Sequence, residues 1–168
     1  MTLADALWAE FEHESKTTRR FLERLPADRL AWRPHEKSLS AGQLALHIAQ
    51  VPAGVAEMSL HEQCPLPDFS APFATPDSPA QVLAAHDAGV PRVREVLRST
   101  SDERMYQIWS ATAEGRVVAT WPRATLFRML MLNHWIQHRG QFGVYLRLLG
   151  AVVPSSYGPS GDEPMGGA

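Results

Sequence analysis

The chain has 168 residues, 45% of them hydrophobic and 20% charged, with a net charge of −2. That size suits one domain of roughly 100–200 residues, and the balance excludes a disordered chain and gives no basic excess for gripping nucleic acid. A lone cysteine, Cys64, excludes an internal disulfide and a CxxC zinc site.

The first predicted helix spans residues 2–25. Leu3, Leu7, Phe11, Leu22 and Leu25 recur on one helical face with Thr18 between them, and Thr2 supplies a cap. Glu10, Glu12, Glu14, Lys16, Arg19, Arg20 and Glu23 are assigned to the wet side, and Pro26 ends the run. Acids at Asp5 and Glu10 stand where a secretory signal would carry basic residues and an apolar core. Arg128 interrupts the best apolar stretch, which therefore falls short of the roughly 18 residues a bilayer span needs. The sequence reads as cytoplasmic, with neither a membrane nor nucleic acid as partner.

A second helix begins at Ser40, where Ser40 and Gln43 match a capping box. Leu44, Ile48, Val51, Val55 and Met58 form its apolar stripe, and Pro52 should kink it. Five prolines then mark residues 64–79 as an irregular crossover. Ser78, Pro79 and Gln81 open a third helix running to about Leu97, with Val82, Val90, Val93 and Leu97 inward. Residues 104–121 hint at period two about Glu114-Gly115, which allows a small hairpin or an extended linker. A last helix over 122–149 carries Leu126, Leu130, Ile136, Val144 and Leu148 on several sides, as a rod buried between neighbours would, and Gly150 stands at its C-terminal cap. The tail from Pro154 has neither helical nor strand pattern; it is read as a free end or a loop folded over a pocket. The predicted fold class is all-α, an antiparallel four-helix bundle over residues 1–155 with an irregular tail over 156–168.

Bundles build metal sites from side chains facing one another across the core. His134 and His138 are four apart, so both imidazoles leave one face of the last helix. His47, three residues after Leu44, points inward from the second helix. Three neutral imidazoles suit a divalent cation with a vacant fourth position; the competing reading is a packed or wet face whose rings bond to carbonyls or water.

Asn133 to Gln141, reading NHWIQHRGQ, with the following Tyr145-Leu146-Arg147-Leu148-Leu149-Gly150 and Val153-Pro154, resembles the C-terminal signature of the DinB-like (DinB/YfiT) superfamily. Trp32-Arg33-Pro34, Lys37-Ser38 and residues 42–49, reading GQLALHIA, are similar to its N-terminal signature. Gln137 departs from the histidine many members carry before HRGQ. The resemblance covers residues 22–158. It implies an up-down-down-up bundle, homodimeric assembly, and a metal triad falling on His47, His134 and His138. Zinc or nickel are the expected cofactors, and imidazole also suits iron and copper.

Some relatives are thiol S-transferases using bacillithiol or mycothiol, one group isomerises maleylpyruvate, and many have no known substrate. No acid lies between His134 and His138, so the glutamate base of an HExxH hydrolase is absent from that position. Thiol transfer asks less of the protein, since a coordinated thiol is deprotonated by the cation. The expectation is a metal-dependent thiol S-transferase acting on a small molecule. The alternatives are a metal-dependent hydrolase or a non-catalytic metal-containing binder or sensor. His35 is assigned to the pocket or to a loop cap. Arg139 and Gln141 are assigned either to orienting His138 or to holding helices or subunits together. Trp32 and Trp135 are read as site walls or core, and His13, His61 and His86 as solvated or structural.

Overall fold

The computed structural model describes residues 1–68 and 70–165. Phe69, inside the expected crossover, and the last three residues of the expected tail lie outside the described residues. Helix α1 is Leu3–Leu22, α2 Ala41–Ser59, α3 Pro79–Ser99 and α4 Asp102–Tyr106. A final helical rod comprises α5, Arg123–Leu126, a π-helical segment over Phe127–His134, and α6, Trp135–Leu148. Strands β1 (Gln63–Pro65), β2 (Ile108–Ala113) and β3 (Arg116–Pro122) form a sheet in that order.

The all-α expectation is therefore corrected: the fold is mixed, a helical body carrying a three-stranded sheet. β2 and β3 pair antiparallel about Glu114 and Gly115, whose φ values of 50° and 74° suit the left-handed two-residue hairpin turn. β1 arises inside the proline-rich crossover and pairs parallel with β2, Cys64 opposite Ala111. Tyr106, expected in period-two structure, instead ends α4, which Ser101 caps.

Within the helical body α2 packs on α3 and on the C-terminal rod, and α1 packs on α3 and α6. The predicted start at Ser40 forms its reciprocal cap: Ser40 Oγ accepts from the Gln43 amide while Gln43 Oε1 accepts from the Ser40 amide. At Ser78 only half of the pattern forms, Ser78 Oγ accepting from the Gln81 amide while Gln81 Oε1 accepts from the Asp77 amide. Gly150, at φ 71°, closes the rod, with the Ala151 amide reaching the Leu146 carbonyl at 2.9 Å.

Pro52 has a structural counterpart. A proline lacks the N–H that would bond the carbonyl four residues earlier, here that of Ile48. The Trp135 indole N–H donates to that carbonyl at 2.9 Å, and its ring stacks on Phe11. The break in α2 thus becomes the docking point of the rod. Trp135 is core, not a site wall.

One polar residue departs from expectation. Glu14, assigned to the wet side, is 5% exposed because Arg139, at 2%, reaches it from α6. His86 is also buried, its Nδ1 3.2 Å from Asp87 Oδ1. In the other direction, Val144 and Leu148 are 59% and 61% exposed: α1 and α2 cover only part of the rod.

Arg123 is buried and, among the described residues, has no acidic side chain paired with it. Its guanidinium donates to the carbonyls of Ser59, His61, Gln107 and Ile108, joining the end of α2 to the hairpin. The Ser59 carbonyl is one of those a helix C-terminus leaves unpaired, and that of His61 follows just beyond the helix end. Arg123→Met should cost about 2–3 kcal/mol, because several buried acceptors lose their donor together; urea denaturation would read this as a lower midpoint.

The tail over 154–165 folds back. Glu163 pairs with Arg20, Asp162 with Arg147, and Ser156 Oγ accepts from Arg139. Among the described residues no helix is long and apolar enough to cross a membrane.

Candidate metal centre

The Gln43 of the α2 cap also donates through Nε2 to the Phe73 carbonyl at 3.0 Å, tying the crossover to the start of the helix. Phe73 consequently lies edge-on to His47, ring centroids 5.5 Å apart. Gly42 allows the same approach, since a Cβ there would stand 3.0 Å from the Leu30 carbonyl and 3.1 Å from Pro76. These contacts fix the turn of α2 that carries His47. The Trp135–Ile48 bond then aligns the rod, because its two partners directly follow His134 and His47 in sequence.

The result is convergence of the three predicted histidines. His134 Nε2 lies 3.3 Å from His47 Nε2 and 3.1 Å from His138 Nε2. One ring nitrogen from each histidine lies within 4.8 Å of the others, and all three residues are half-buried. The π segment ends at His134, yet the four-residue spacing still stacks the His134 and His138 rings edge to face at 4.3 Å.

The protonation chemistry suits a cation. Gln141 Oε1 accepts from His138 Nδ1 at 2.7 Å, which leaves the lone pair on Nε2, facing the cluster. Burial first, then the neighbouring His138 and His134, push the His47 pKa down to about 4; burial and His138 also lower that of His134. Protonating the cluster sets N–H groups and positive charges against one another, whereas one cation accepts all three lone pairs. His47, His134 and His138 could hold a divalent metal.

All three histidines border one hollow, and His138 borders a second. The first, of about 440 Å³, is walled by residues of α2, the crossover, the hairpin and the rod, with Trp109 and Trp121 stacked 6.1 Å apart. The other, of about 480 Å³, shares Leu39 and His138 with it and adds Lys37, Ser38, Gln141 and Tyr145. The walling role of Trp109 and Trp121 had no signal in the sequence, because it depends on a hairpin whose position periodicity left open.

The remaining candidates separate. Gln141 holds His138, while Arg139 faces away and binds α1. His35 Nδ1 accepts from the Lys37 amide and caps its loop. Trp32 packs edge-on against Tyr145. His13 and His61 are exposed, and Cys64 lies half-buried on β1, so none of these joins the triad.

A helical body with a small sheet and a three-histidine cluster opening on an apolar hollow defines a class of proteins able to seat one divalent ion. The chain belongs to the DinB family, whose model matches residues 1–165. An uncharacterized protein of Bacillus subtilis, YrdA, is 25% identical over 162 residues, covering 95% of this chain and 90% of that one. Among solved structures, a DinB-like protein of Bacillus cereus shares the fold at TM-score 0.71 and 21% identity, covering 91% of this chain and 97% of that one. The DinB-like protein YjoA of Bacillus subtilis follows at TM-score 0.68 and 20% identity, covering 90% and 96%.

Proposed function

We propose that the protein is a metal-dependent enzyme in which His47, His134 and His138 hold one divalent cation, zinc or nickel, and that it transfers a low-molecular-weight thiol to a small electrophile. The observation supporting this reading is the set of three facing ring nitrogens on the wall of an apolar hollow, with His138 shared by a second hollow that carries Lys37, Ser38 and Gln141. A divalent cation supplies Lewis acidity, which favours the anionic form of a thiol sharing its open position.

The chain's own groups do the rest. Gln141 keeps the proton on His138 Nδ1. Lys37 and Ser38 offer polar contacts to the thiol's remaining groups. The apolar hollow keeps water from the electrophile. In the overall reaction the thiol sulfur bonds to the electrophilic carbon, the leaving group departs as its anion, and the thiol proton passes to solvent. Hydrolysis fits less well, since among the described residues no carboxylate borders either hollow to act as base.

The test incubates metal-loaded protein with a panel of small thiols and a halogenated aromatic. Conjugate should form faster than with protein stripped of metal, and His134→Ala should fall to that baseline. Equal rates in all three samples would contradict an enzymatic role and leave a binder or sensor.

A further inference from the structure

The apolar hollow contains an unexplained glycine. Gly54 lies inside α2, where a glycine weakens a helix relative to residues with side chains. Its backbone does not require it, since positive φ among the described glycines occurs at Gly115 and Gly150. Packing does not require it either. A Cβ at Gly42, Gly89 or Gly143 would press a neighbour at 3.0–3.3 Å, whereas one at Gly54 would meet nothing within 4 Å among the described residues. Gly140 is equally free, but it borders a different hollow. What Gly54 does provide is space: it stands in the chamber wall beside Val51, Val55 and Met58.

The rest of the wall defines what could fill that space. Among the described residues lining it there is no charged side chain; the three imidazoles sit at one side, and Trp109, Trp121, Phe73 and Leu130 give flat or apolar surface. Trp109 has already committed its indole N–H to the Met58 carbonyl at 3.0 Å. A carboxylate or phosphate placed there would lose its hydration without gaining a countercharge. The volume, about 440 Å³, lies within the ordinary range of small-ligand sites.

We propose that this chamber binds a neutral, largely apolar ring-bearing molecule, and that Gly54 is the specificity-determining residue that keeps room for it. Its identity as the electrophile of the thiol transfer rests on the function proposed above; the binding of the ring does not.

The test titrates the full-length protein calorimetrically with 2-naphthol and with 2-naphthoate, before and after zinc loading. In metal-free protein the neutral probe should bind saturably and the anion at least tenfold more weakly. Gly54→Leu should weaken naphthol binding at least tenfold while melting no lower than the parent and taking up zinc equally. Val51→Phe, on the adjacent turn, should weaken it in the same direction. Absence of saturable naphthol binding, equal affinity for the anion in metal-free protein, or unchanged affinity in both variants would overturn the proposal. Naphthol binding without zinc uptake would uphold the chamber and refute the metal-dependent reading, so the two claims fail separately.

Discussion

His134→Ala should abolish metal retention, with elemental analysis of untagged protein falling from about one ion per chain toward none. His134 is the middle ligand of the cluster, its Nε2 within 3.1 Å of His138 and 3.3 Å of His47, so its loss leaves two nitrogens and an empty space. Far-ultraviolet circular dichroism should be unchanged, because the ring borders a hollow and does not belong to the core. Gln141→Leu should be milder. It keeps all three ligands but frees the His138 tautomer, an effect of about 10–100-fold in affinity for partners of this kind.

Acid should act on the same group even without metal. An unfolded imidazole takes a proton near pH 6.5, while folded His47 resists until about 4. Between these values the unfolded chain binds more protons, so its neutral His47 contributes stability that is full above 6.5 and lost as pH falls toward 4. Urea midpoints across that interval should decline with pH, and less steeply in His47→Gln.

Arg139→Ala should be the most damaging single change to the fold, at about 3–5 kcal/mol. The guanidinium Nη1 lies 2.6 Å from Glu14 Oε2 as a close charge contact, although that oxygen receives no well-aligned hydrogen bond. The guanidinium also donates to the Glu14 carbonyl, Thr18 Oγ1 and Ser156 Oγ, and lies over the Tyr157 ring at 5.3 Å. Truncation strands a buried carboxylate and releases the returning tail together. A double change, Glu14→Leu with Arg139→Met, removes both charges and should recover much of the loss, since paired apolar replacements avoid desolvating an unpaired charge. Equal urea midpoints for the single and double variants would show that the charge pair itself matters little.

The fate of individual residues shows where sequence reasoning reached and where it stopped. Ser40-Ala41-Gly42-Gln43 signalled a helix start through purely local bonds, and those bonds form. The shared face of His134 and His138 was legible for a similar reason, since a four-residue spacing is a property of a single helix; their meeting with His47 across two helices was left open by spacing and came as an expectation from the family resemblance. The sheet was not legible as such. β1 is three residues in a proline-rich stretch, and its pairing of Cys64 with Ala111 spans a distance no local pattern encodes. Glu114-Gly115 announced its turn, but Tyr106 and Ile108 looked alike in sequence and went to a helix and a strand. Glu14 was misplaced because one acid among Glu10, Glu12 and Lys16 looks like surface until an arginine more than a hundred residues away reaches it. The π segment before His134 had no sequence signal, and the chamber required the hairpin to be in place.

The most direct measurement is anomalous X-ray scattering at the zinc edge from crystals of zinc-loaded protein. One ion should lie about 2.0–2.1 Å from the Nε2 atoms of His47, His134 and His138, with a coordination position open toward the chamber. Zinc bound elsewhere, or held by fewer than these three rings with His47 turned to solvent, would contradict the account.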